Sequence, residues 1–119
     1  MSAPDWMRRA ERAARTLCAT TRRTGRATHS VYVILLHDPG RRQAWGLYVG
    51  QTVRDPDWRF DQHKAGYKAS GAVRRFGVRL LPEMVDHLNP MQRWEALDLE
   101  AALADAFRTA AVPWVEGGH

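Results

Sequence analysis

The sequence predicts an α/β fold of the α+β type, in which a small three-stranded antiparallel sheet is flanked by helices. Three segments are short and rich in β-branched and aliphatic residues, and four others carry helical periodicity or helix-capping residues. Their order is helix, strand, strand, helix, helix, strand, helix. Because strands and helices do not alternate regularly, a doubly wound parallel sheet is disfavoured. The length of 119 residues fits one domain.

The chain begins with a helix predicted over residues 4–20 and a linker over residues 20–28. Apolar residues recur at helical spacing in the first segment: Trp6, Ala10, Ala13 and Leu17. The second segment has no apolar periodicity. We therefore assign residues 1–28 to a basic N-terminal helix and linker, and residues 29–119 to the main domain.

The two central strands are predicted over residues 29–36 and 45–50. The first has apolar residues at both odd and even positions, which indicates a strand covered on both faces. An Asp-Pro-Gly turn follows at residues 38–40. The connection between the two strands therefore suits an antiparallel hairpin.

Capping residues predict the next two helices. Asp55 is the N-cap of the first helix, Pro56 occupies its first turn and Gly66 ends it. Ser70 begins the second helix and Gly77 closes it.

The last strand and the last helix follow. A strand is predicted over residues 78–84, and Pro82 confines it to an edge or to a strand end. A helix is predicted over residues 90–110, with Asn89 as its N-cap and Gln92 completing a capping box.

The charge pattern favours a polyanionic partner. Of the 18 cationic residues 16 are arginine, whose planar guanidinium suits phosphate oxygens. Residues 1–28 and 40–79 carry net charges of +5 and +6, whereas residues 80–119 carry −5. The alternative interpretation is a solvated basic face without a specific partner.

Several classes of protein are disfavoured by composition. The single cysteine, Cys18, has no second thiol for an intramolecular disulfide or a Cys-x-x-Cys motif. The longest apolar run, residues 31–36, is far shorter than the roughly 20 residues that cross a bilayer. We therefore expect a soluble protein of a reducing, cytoplasmic compartment, without a membrane partner.

One carboxylate lies on the apolar face of the last predicted helix. At steps of about 100° per residue, Glu100 shares an arc with apolar residues and faces away from the other acids. The arc contains Ala96, Leu97, Leu103, Ala104 and Phe107, and the opposite side carries Glu95, Asp98 and Asp105. A carboxylate facing a core is costly unless a cation or strong donors meet it. Glu100 is therefore either paired with an arginine or a metal ligand.

Four further residues form a constellation suited to a phosphodiester. Arg59 and His63 are four residues apart and so lie on one face of their predicted helix, while Tyr32 and Tyr48 lie on the two central strands. A cation stabilises developing charge, and titratable groups transfer protons. Each residue also has a structural interpretation, as a core aromatic, a solvated arginine or a satisfied histidine.

In combination these residues resemble the GIY-YIG nuclease family. The matching residues are Val31-Tyr32, Tyr48-Val49-Gly50-Gln51-Thr52, Arg59, His63 and Glu100. The resemblance covers about residues 29–110. Two features depart from the family: Gln51 occupies a position where some members have lysine, and the connection between the two tyrosine motifs is longer than usual.

The resemblance implies metal-dependent hydrolysis of nucleic-acid phosphodiesters, with DNA favoured over RNA, on a three-stranded antiparallel sheet flanked by helices. It implies that Glu100 binds one divalent ion, Mg²⁺ or Mn²⁺, and that Arg59 stabilises charge on the scissile phosphate. Tyr32 or Tyr48, assisted by His63, then orients or deprotonates the attacking water. Position alone does not decide between the two tyrosines.

Further basic residues are predicted to contact the nucleic-acid backbone, which predicts salt-dependent binding without sequence preference. These residues are Arg41, Arg42, Arg54, Lys64, Lys68, Arg74 and Arg75. The alternative function is a non-catalytic nucleic-acid-binding module of the same fold. A third interpretation is that the N-terminal helix binds a protein partner or forms a homodimer or larger assembly.

Overall fold

The computed structural model describes residues 4–21, 27–66, 70–85 and 88–118, which form a mixed sheet with helices on both faces. The elements, in chain order, are α1 Met7–Thr20, β1 Ser30–His37, β2 Trp45–Thr52, α2 Pro56–Ala65, α3 Gly71–Phe76, β3 Gly77–Leu80, a 3₁₀ turn Pro82–Met84, α4 Arg93–Thr109 and β4 Val115–Gly117.

The sheet of the described residues has four strands in the order β3-β1-β2-β4. β1 pairs antiparallel with β2 along its whole length and with β3 on its other edge. β4 pairs in parallel with β2, which places Glu116 opposite Tyr48. The α+β class is thus confirmed, whereas the prediction of three antiparallel strands is wrong in detail. The alternation of apolar and polar residues that predicts a strand is recognisable only over four or more residues. β4 has three residues and was therefore not predicted.

β1 is buried on both faces, as its sequence predicts. Val31, Val33 and Leu35 belong to a core built with α1 and α4. Ile34 and Leu36 belong to a second core on the other face of the sheet, built with α2 and α3. The strand therefore separates the protein into two helical layers.

α1 covers the sheet as part of the first of these layers. Its inward residues, Met7, Ala10, Ala14 and Cys18, are buried. The guanidinium of Arg9 also donates to the main-chain oxygen of Ala110 at the end of α4, at 2.9 Å. None of the helices among the described residues is both long enough and apolar enough to cross a membrane.

The capping predictions for α2 and α3 are confirmed. The Asp55 carboxylate accepts the N–H of Asp57 at 2.8 Å, and Gly66 takes the left-handed conformation, with φ 90°, that ends α2. The Ser70 hydroxyl accepts the N–H of Val73 at the start of α3. Both signals are local, so the sequence contains all that is needed to recognise them.

The beginning of α4 differs from the prediction. The helix begins at Arg93, and the N–H of Gln92 donates to the Glu95 carboxylate at 2.9 Å. Glu95 is consequently buried, although the helical pattern places it on the exposed side. The third strand is also shorter than predicted, because β3 ends at Leu80 before Pro82.

Asn89 completes the edge of β1 and does not cap a helix. Its side-chain amide accepts the N–H of Val31 at 2.9 Å and donates to the carbonyl of Val31 at 2.7 Å. β3 pairs with β1 at residues 34–36. At Val31 the Asn89 amide therefore makes the main-chain hydrogen bonds that a neighbouring strand would make. The predicted capping role of Asn89 is therefore wrong, because its side chain makes tertiary hydrogen bonds to Val31.

We expect Asn89→Ala to lower the free energy of unfolding by about 1–3 kcal/mol, because it leaves the N–H and the carbonyl of Val31 unpaired. Urea unfolding followed by circular dichroism measures the change. Gln43→Ala, which truncates an exposed side-chain amide in the β1–β2 loop, is the matched control and should stay within about 0.5 kcal/mol of the wild type. Equal losses in the two variants would contradict the role of Asn89.

Candidate functional site

Of the five residues predicted to form the site, Tyr32, Tyr48 and His63 pack against one another, and Arg59 and Glu100 act on the tyrosines. The rings of Tyr32 and Tyr48 lie on adjacent strands with centroids 6.2 Å apart. The His63 ring lies against both, at 6.2 Å from Tyr32 and 5.7 Å from Tyr48. Arg59 and Glu100 are close enough to act electrostatically on both tyrosine hydroxyls. Residues from two strands and two helices thus converge.

Gly50 makes room for the two tyrosines. It is paired with Tyr32 across β1 and β2. A Cβ atom at this position would lie 2.6 Å from the Tyr32 hydroxyl oxygen and 2.9 Å from a ring carbon of Tyr48. Such contacts are closer than side chains tolerate, so the packing of the two tyrosines requires glycine at the third position of the Tyr-Val-Gly segment.

The end of β4 passes closely between β2 and α4. A Cβ atom on Gly118, whose φ is 87°, would lie 2.3 Å from the Ala104 Cβ atom and 3.6 Å from the main-chain oxygen of Glu100. A Cβ atom on Gly117 would lie 2.1 Å from the Val49 carbonyl oxygen. Two consecutive glycines therefore allow α4, which carries Glu100, to approach the sheet at this edge.

β4 and the residue before it add Glu116 and Trp114, which the sequence analysis missed. Glu116 lies opposite Tyr48 and acts electrostatically on its hydroxyl. The indole N–H of Trp114 donates to the Glu116 carboxylate at 3.1 Å and fixes its position. Recognition of these residues requires the parallel pairing of β4 with β2, for which the sequence has no local signal.

His63 is 1% exposed, and both nitrogens of its ring have partners. Nδ1 accepts the main-chain N–H of Ser70 at 3.1 Å, and Nε2 lies 2.9 Å from the Tyr32 hydroxyl oxygen. Because a main-chain N–H can only donate, Nδ1 carries the lone pair and Nε2 of the neutral ring carries the proton. The hydrogen-bond network thus assigns His63 as the donor to Tyr32.

Tyr48 lies at the end of this network. Burial is the main cause that raises the pKa of both tyrosines. Interaction with Tyr48 raises the pKa of Tyr32 further, whereas interaction with Tyr32 lowers the pKa of Tyr48. The hydrogen bonds therefore run from Ser70 through His63 to Tyr32, and the half-buried ring of Tyr48 lies beside Tyr32.

Burial favours the neutral forms of His63 and Glu100. Burial and, to a smaller extent, the charge of Arg59 together lower the pKa of His63 to about 4. Burial raises the pKa of Glu100, which is 5% exposed, to about 7. No salt bridge within the described ranges involves Glu100. The ion pair between Glu100 and an arginine, one of the two alternatives raised by the sequence, is thus not found among the described residues.

The donor chemistry fits a hard divalent ion. Within the described part of the chain, no three His, Cys, Asp or Glu side chains are grouped to hold a metal. Mg²⁺, however, usually keeps several waters and is bound by one or two carboxylates. The buried carboxylate of Glu100, with the phenol oxygen of Tyr48 and the carboxylate of Glu116 nearby, is an all-oxygen set of this kind.

Two of the predicted backbone-binding residues have partners within the protein. The Arg41 guanidinium lies over Trp114, 3.8 Å from the ring centroid, and 3.7 Å from the Asp38 carboxylate. The Lys64 ammonium donates to two main-chain oxygens at the carboxyl end of α3, at 3.2 and 3.0 Å. Lys68 lies outside the described residues. All six described members of the set are exposed: Arg41, Arg42, Arg54, Lys64, Arg74 and Arg75.

Compared with known proteins, the chain matches no family model, no curated protein and no solved structure. Inference about its function therefore rests on the residues and contacts described above.

We expect Glu100→Gln to be more stable relative to the wild type at pH 8 than at pH 5. The pKa of Glu100 rises from 4.5 to about 7 on folding, so the folded state binds more protons in this range. The wild type consequently loses stability as the pH rises through it, by up to about 3 kcal/mol, and the variant lacks this loss. Urea unfolding in EDTA at both pH values measures the difference.

Asp98→Asn, on the exposed side of α4, is the control for this experiment. Its stability relative to the wild type should be the same at both pH values. A stability difference between Glu100→Gln and the wild type that does not widen with pH would contradict the burial of an uncharged Glu100.

Proposed function

We propose that the protein is a metal-dependent endonuclease of the GIY-YIG type, which hydrolyses phosphodiester bonds of nucleic acid, with DNA favoured over RNA. The observation that carries this proposal is the convergence of Tyr32, Tyr48, Arg59, His63 and Glu100 at one place. A module that only binds nucleic acid has no need of a buried carboxylate that acts on two tyrosine hydroxyls. The combination therefore favours catalysis over the alternative of a binding module.

Arg59 supplies charge where the phosphate would bind. Its guanidinium lowers the pKa of both tyrosines and of His63, so its positive charge lies within the constellation. A guanidinium in this position stabilises the charge that develops on the scissile phosphate. Glu100 would hold the one divalent ion, Mg²⁺ or Mn²⁺, which would supply further stabilisation of the same charge.

Of the two tyrosines, Tyr48 is the better proton acceptor. Tyr48 is half-buried, whereas the Tyr32 hydroxyl is buried and is held by its hydrogen bond to His63. Burial raises the pKa of Tyr48, but the interaction with Tyr32 and the charge of Arg59 oppose that rise and so favour the phenolate. In the proposed reaction Tyr48 first loses its phenolic proton to solvent, and the phenolate then takes a proton from a water. The water oxygen bonds to phosphorus, and the leaving oxygen departs and takes a proton from solvent.

His63 is a positioning residue in this mechanism. Both of its ring nitrogens are occupied, and its pKa of about 4 keeps it neutral at physiological pH. It therefore assists the tyrosines by donating to Tyr32 and not by accepting a proton from them.

Cleavage of supercoiled plasmid tests the proposal. We expect nicking that requires Mg²⁺ or Mn²⁺ and stops in EDTA. Arg59→Ala and Glu100→Gln should each lower the cleavage rate by about 10²-fold or more, because each removes charge stabilisation from the transition state. Arg93→Ala, which removes an exposed arginine from α4, is the control and should cleave at the wild-type rate.

Other outcomes of this assay separate the alternatives. Salt-sensitive binding of the plasmid without cleavage under any metal would favour a non-catalytic binding module. Cleavage that continues in EDTA would contradict metal dependence.

Phenylalanine substitutions test the assignment of the two tyrosines while they preserve the rings. We expect Tyr48→Phe to lose cleavage by about 10²- to 10⁴-fold, since it removes the proton acceptor. Tyr32→Phe should lose less and should shift the pH–rate profile to higher pH, because interaction with the Tyr32 hydroxyl lowers the pKa of Tyr48. Cleavage rates of the wild type and both variants, measured from pH 6 to pH 10, decide which tyrosine is the proton acceptor. An inactive Tyr32→Phe beside an active Tyr48→Phe would reverse the assignment.

A further inference from the structure

The segment between β2 and α2 presents apolar surface to solvent. The large hydrophobic side chains that are exposed within the described residues include Val53, at 65%, and Trp58, at 43%. These two lie at the two ends of one short stretch, residues 53–58, that also contains Arg54. Scattered exposed apolar residues are common, but an exposed indole grouped with a valine and an arginine forms a patch suited to contact a ligand.

The indole of Trp58 is combined with a guanidinium. The central carbon of the Arg54 guanidinium lies 5.2 Å from the centroid of the Trp58 ring, within the range of a cation–π interaction. Both groups are planar, and both are side chains on which nucleobases stack. The pair therefore has the chemistry of a base-stacking surface.

The stretch that carries this pair is anchored at both ends. The N–H of Arg54 donates to the Thr52 hydroxyl at the end of β2, at 3.0 Å. The Asp55 carboxylate caps α2 through the N–H of Asp57. Trp58 and Arg54 are thus attached to a strand and a helix of the site, so that less conformational freedom is lost when a ligand binds.

The pair also lies directly beside the proposed catalytic residues. Trp58 precedes Arg59 in α2, and the Cα atoms of consecutive residues are about 3.8 Å apart. Thr52, which holds Arg54, follows Gly50 by two residues along β2. A nucleotide whose phosphate meets Arg59 would therefore have its base within reach of Trp58.

We propose that Trp58 and Arg54 stack an unpaired nucleobase next to the scissile phosphate, and that the preferred substrates are single-stranded or locally unpaired nucleic acids. This inference rests on the nuclease function proposed above and specifies its substrate class. In a duplex each base face is covered by its neighbours, whereas an unpaired base presents a free face to an aromatic side chain. The two residues thus select for unpaired nucleotides without reading their sequence.

Binding in EDTA tests the inference without catalysis. The probes are a fluorescent thymidine oligonucleotide of 15 residues and a duplex of the same length. We expect the wild type to bind the single strand more tightly and Trp58→Ala to weaken that binding by about 5- to 150-fold, the range for loss of one stacked base. Duplex affinity should change by less than about twofold, and Trp58→Phe, which retains a stacking ring, should bind the single strand nearly as well as the wild type.

Trp94→Ala is the matched control. Trp94 lies at the start of α4, is 55% exposed and donates from its indole to the Gln92 side chain at 2.8 Å. Its truncation should leave the affinity for both probes unchanged. Urea unfolding of each variant separates a loss of binding from a loss of folding, because truncation of an exposed side chain should change stability by less than about 0.5 kcal/mol.

Tighter wild-type binding to the duplex, or equal losses in Trp58→Ala and Trp94→Ala, would overturn the inference. Its failure is distinguishable from failure of the nuclease proposal. Single-strand binding that depends on Trp58, in a protein that cleaves nothing, would support the stacking surface and refute the nuclease. Metal-dependent cleavage with the same substrate preference in wild type and Trp58→Ala would support the nuclease and refute the stacking surface.

Discussion

The burial of β1 on both faces is the constraint on which the rest of the structure depends. A strand with apolar side chains on both sides needs a layer of helices on each, so α1 and α4 occupy one face and α2 and α3 the other. Arg59 and His63 come from one layer and Glu100 from the other. At the sheet edge β4 lies close to Val49 of β2 and Ala104 of α4, and it ends in two glycines because side chains there would collide with both. The site is therefore a consequence of how a two-sided strand is covered.

How much of this was predictable depends on how local each signal is. Asp55 and Gly66 bound α2 through contacts within a few residues, and the sequence identifies both. The side chain of Asn89 satisfies Val31, which is 58 residues away in the chain, so no window around Asn89 reveals its partner. The helical pattern correctly predicts the buried position of Glu100 but misplaces Glu95, whose carboxylate turns back to the N–H of Gln92.

The same distinction applies to the site. The identities and spacing of its tyrosines, arginine, histidine and glutamate indicate which residues belong together. The roles of those residues depend on contacts that spacing does not encode. The N–H of Ser70 fixes the tautomer of His63 and so turns a candidate proton acceptor into a donor. Glu116 reaches the site through a parallel pairing that no hairpin pattern anticipates. From the sequence alone, Arg41 and Lys64 are predicted to be available to a ligand. In the structure Arg41 contacts Trp114 and Lys64 donates to main-chain oxygens.

Burial of two titratable groups gives the site opposing dependences on pH. The pKa of His63 is lowered on folding, so the stability that depends on its neutral form is lost as the pH falls from 6.5 towards about 4. The pKa of Glu100 is raised, so the stability that depends on its protonated form is lost as the pH rises from 4.5 through about 7. Both groups are neutral together between about pH 5 and 6. An ion that binds carboxylate must therefore displace the proton from Glu100, which couples metal binding to pH.

In the proposed nuclease, α2 links substrate selection to chemistry through the geometry of a single helix. At steps of about 100° per residue, Arg59 lies between Trp58 and His63 around the helix axis. Trp58 is exposed, Arg59 is half-buried and His63 is buried, so the three side chains pass from solvent into the site in that order. This arrangement explains why α2 has no simple division into an apolar and a polar face. The inner side of α2 holds the polar network of His63, and its outer side carries the indole of Trp58. The guanidinium of Arg59 lies between them. In the proposed complex it meets the phosphate of a nucleotide whose base contacts Trp58 and whose reacting oxygens face the polar network.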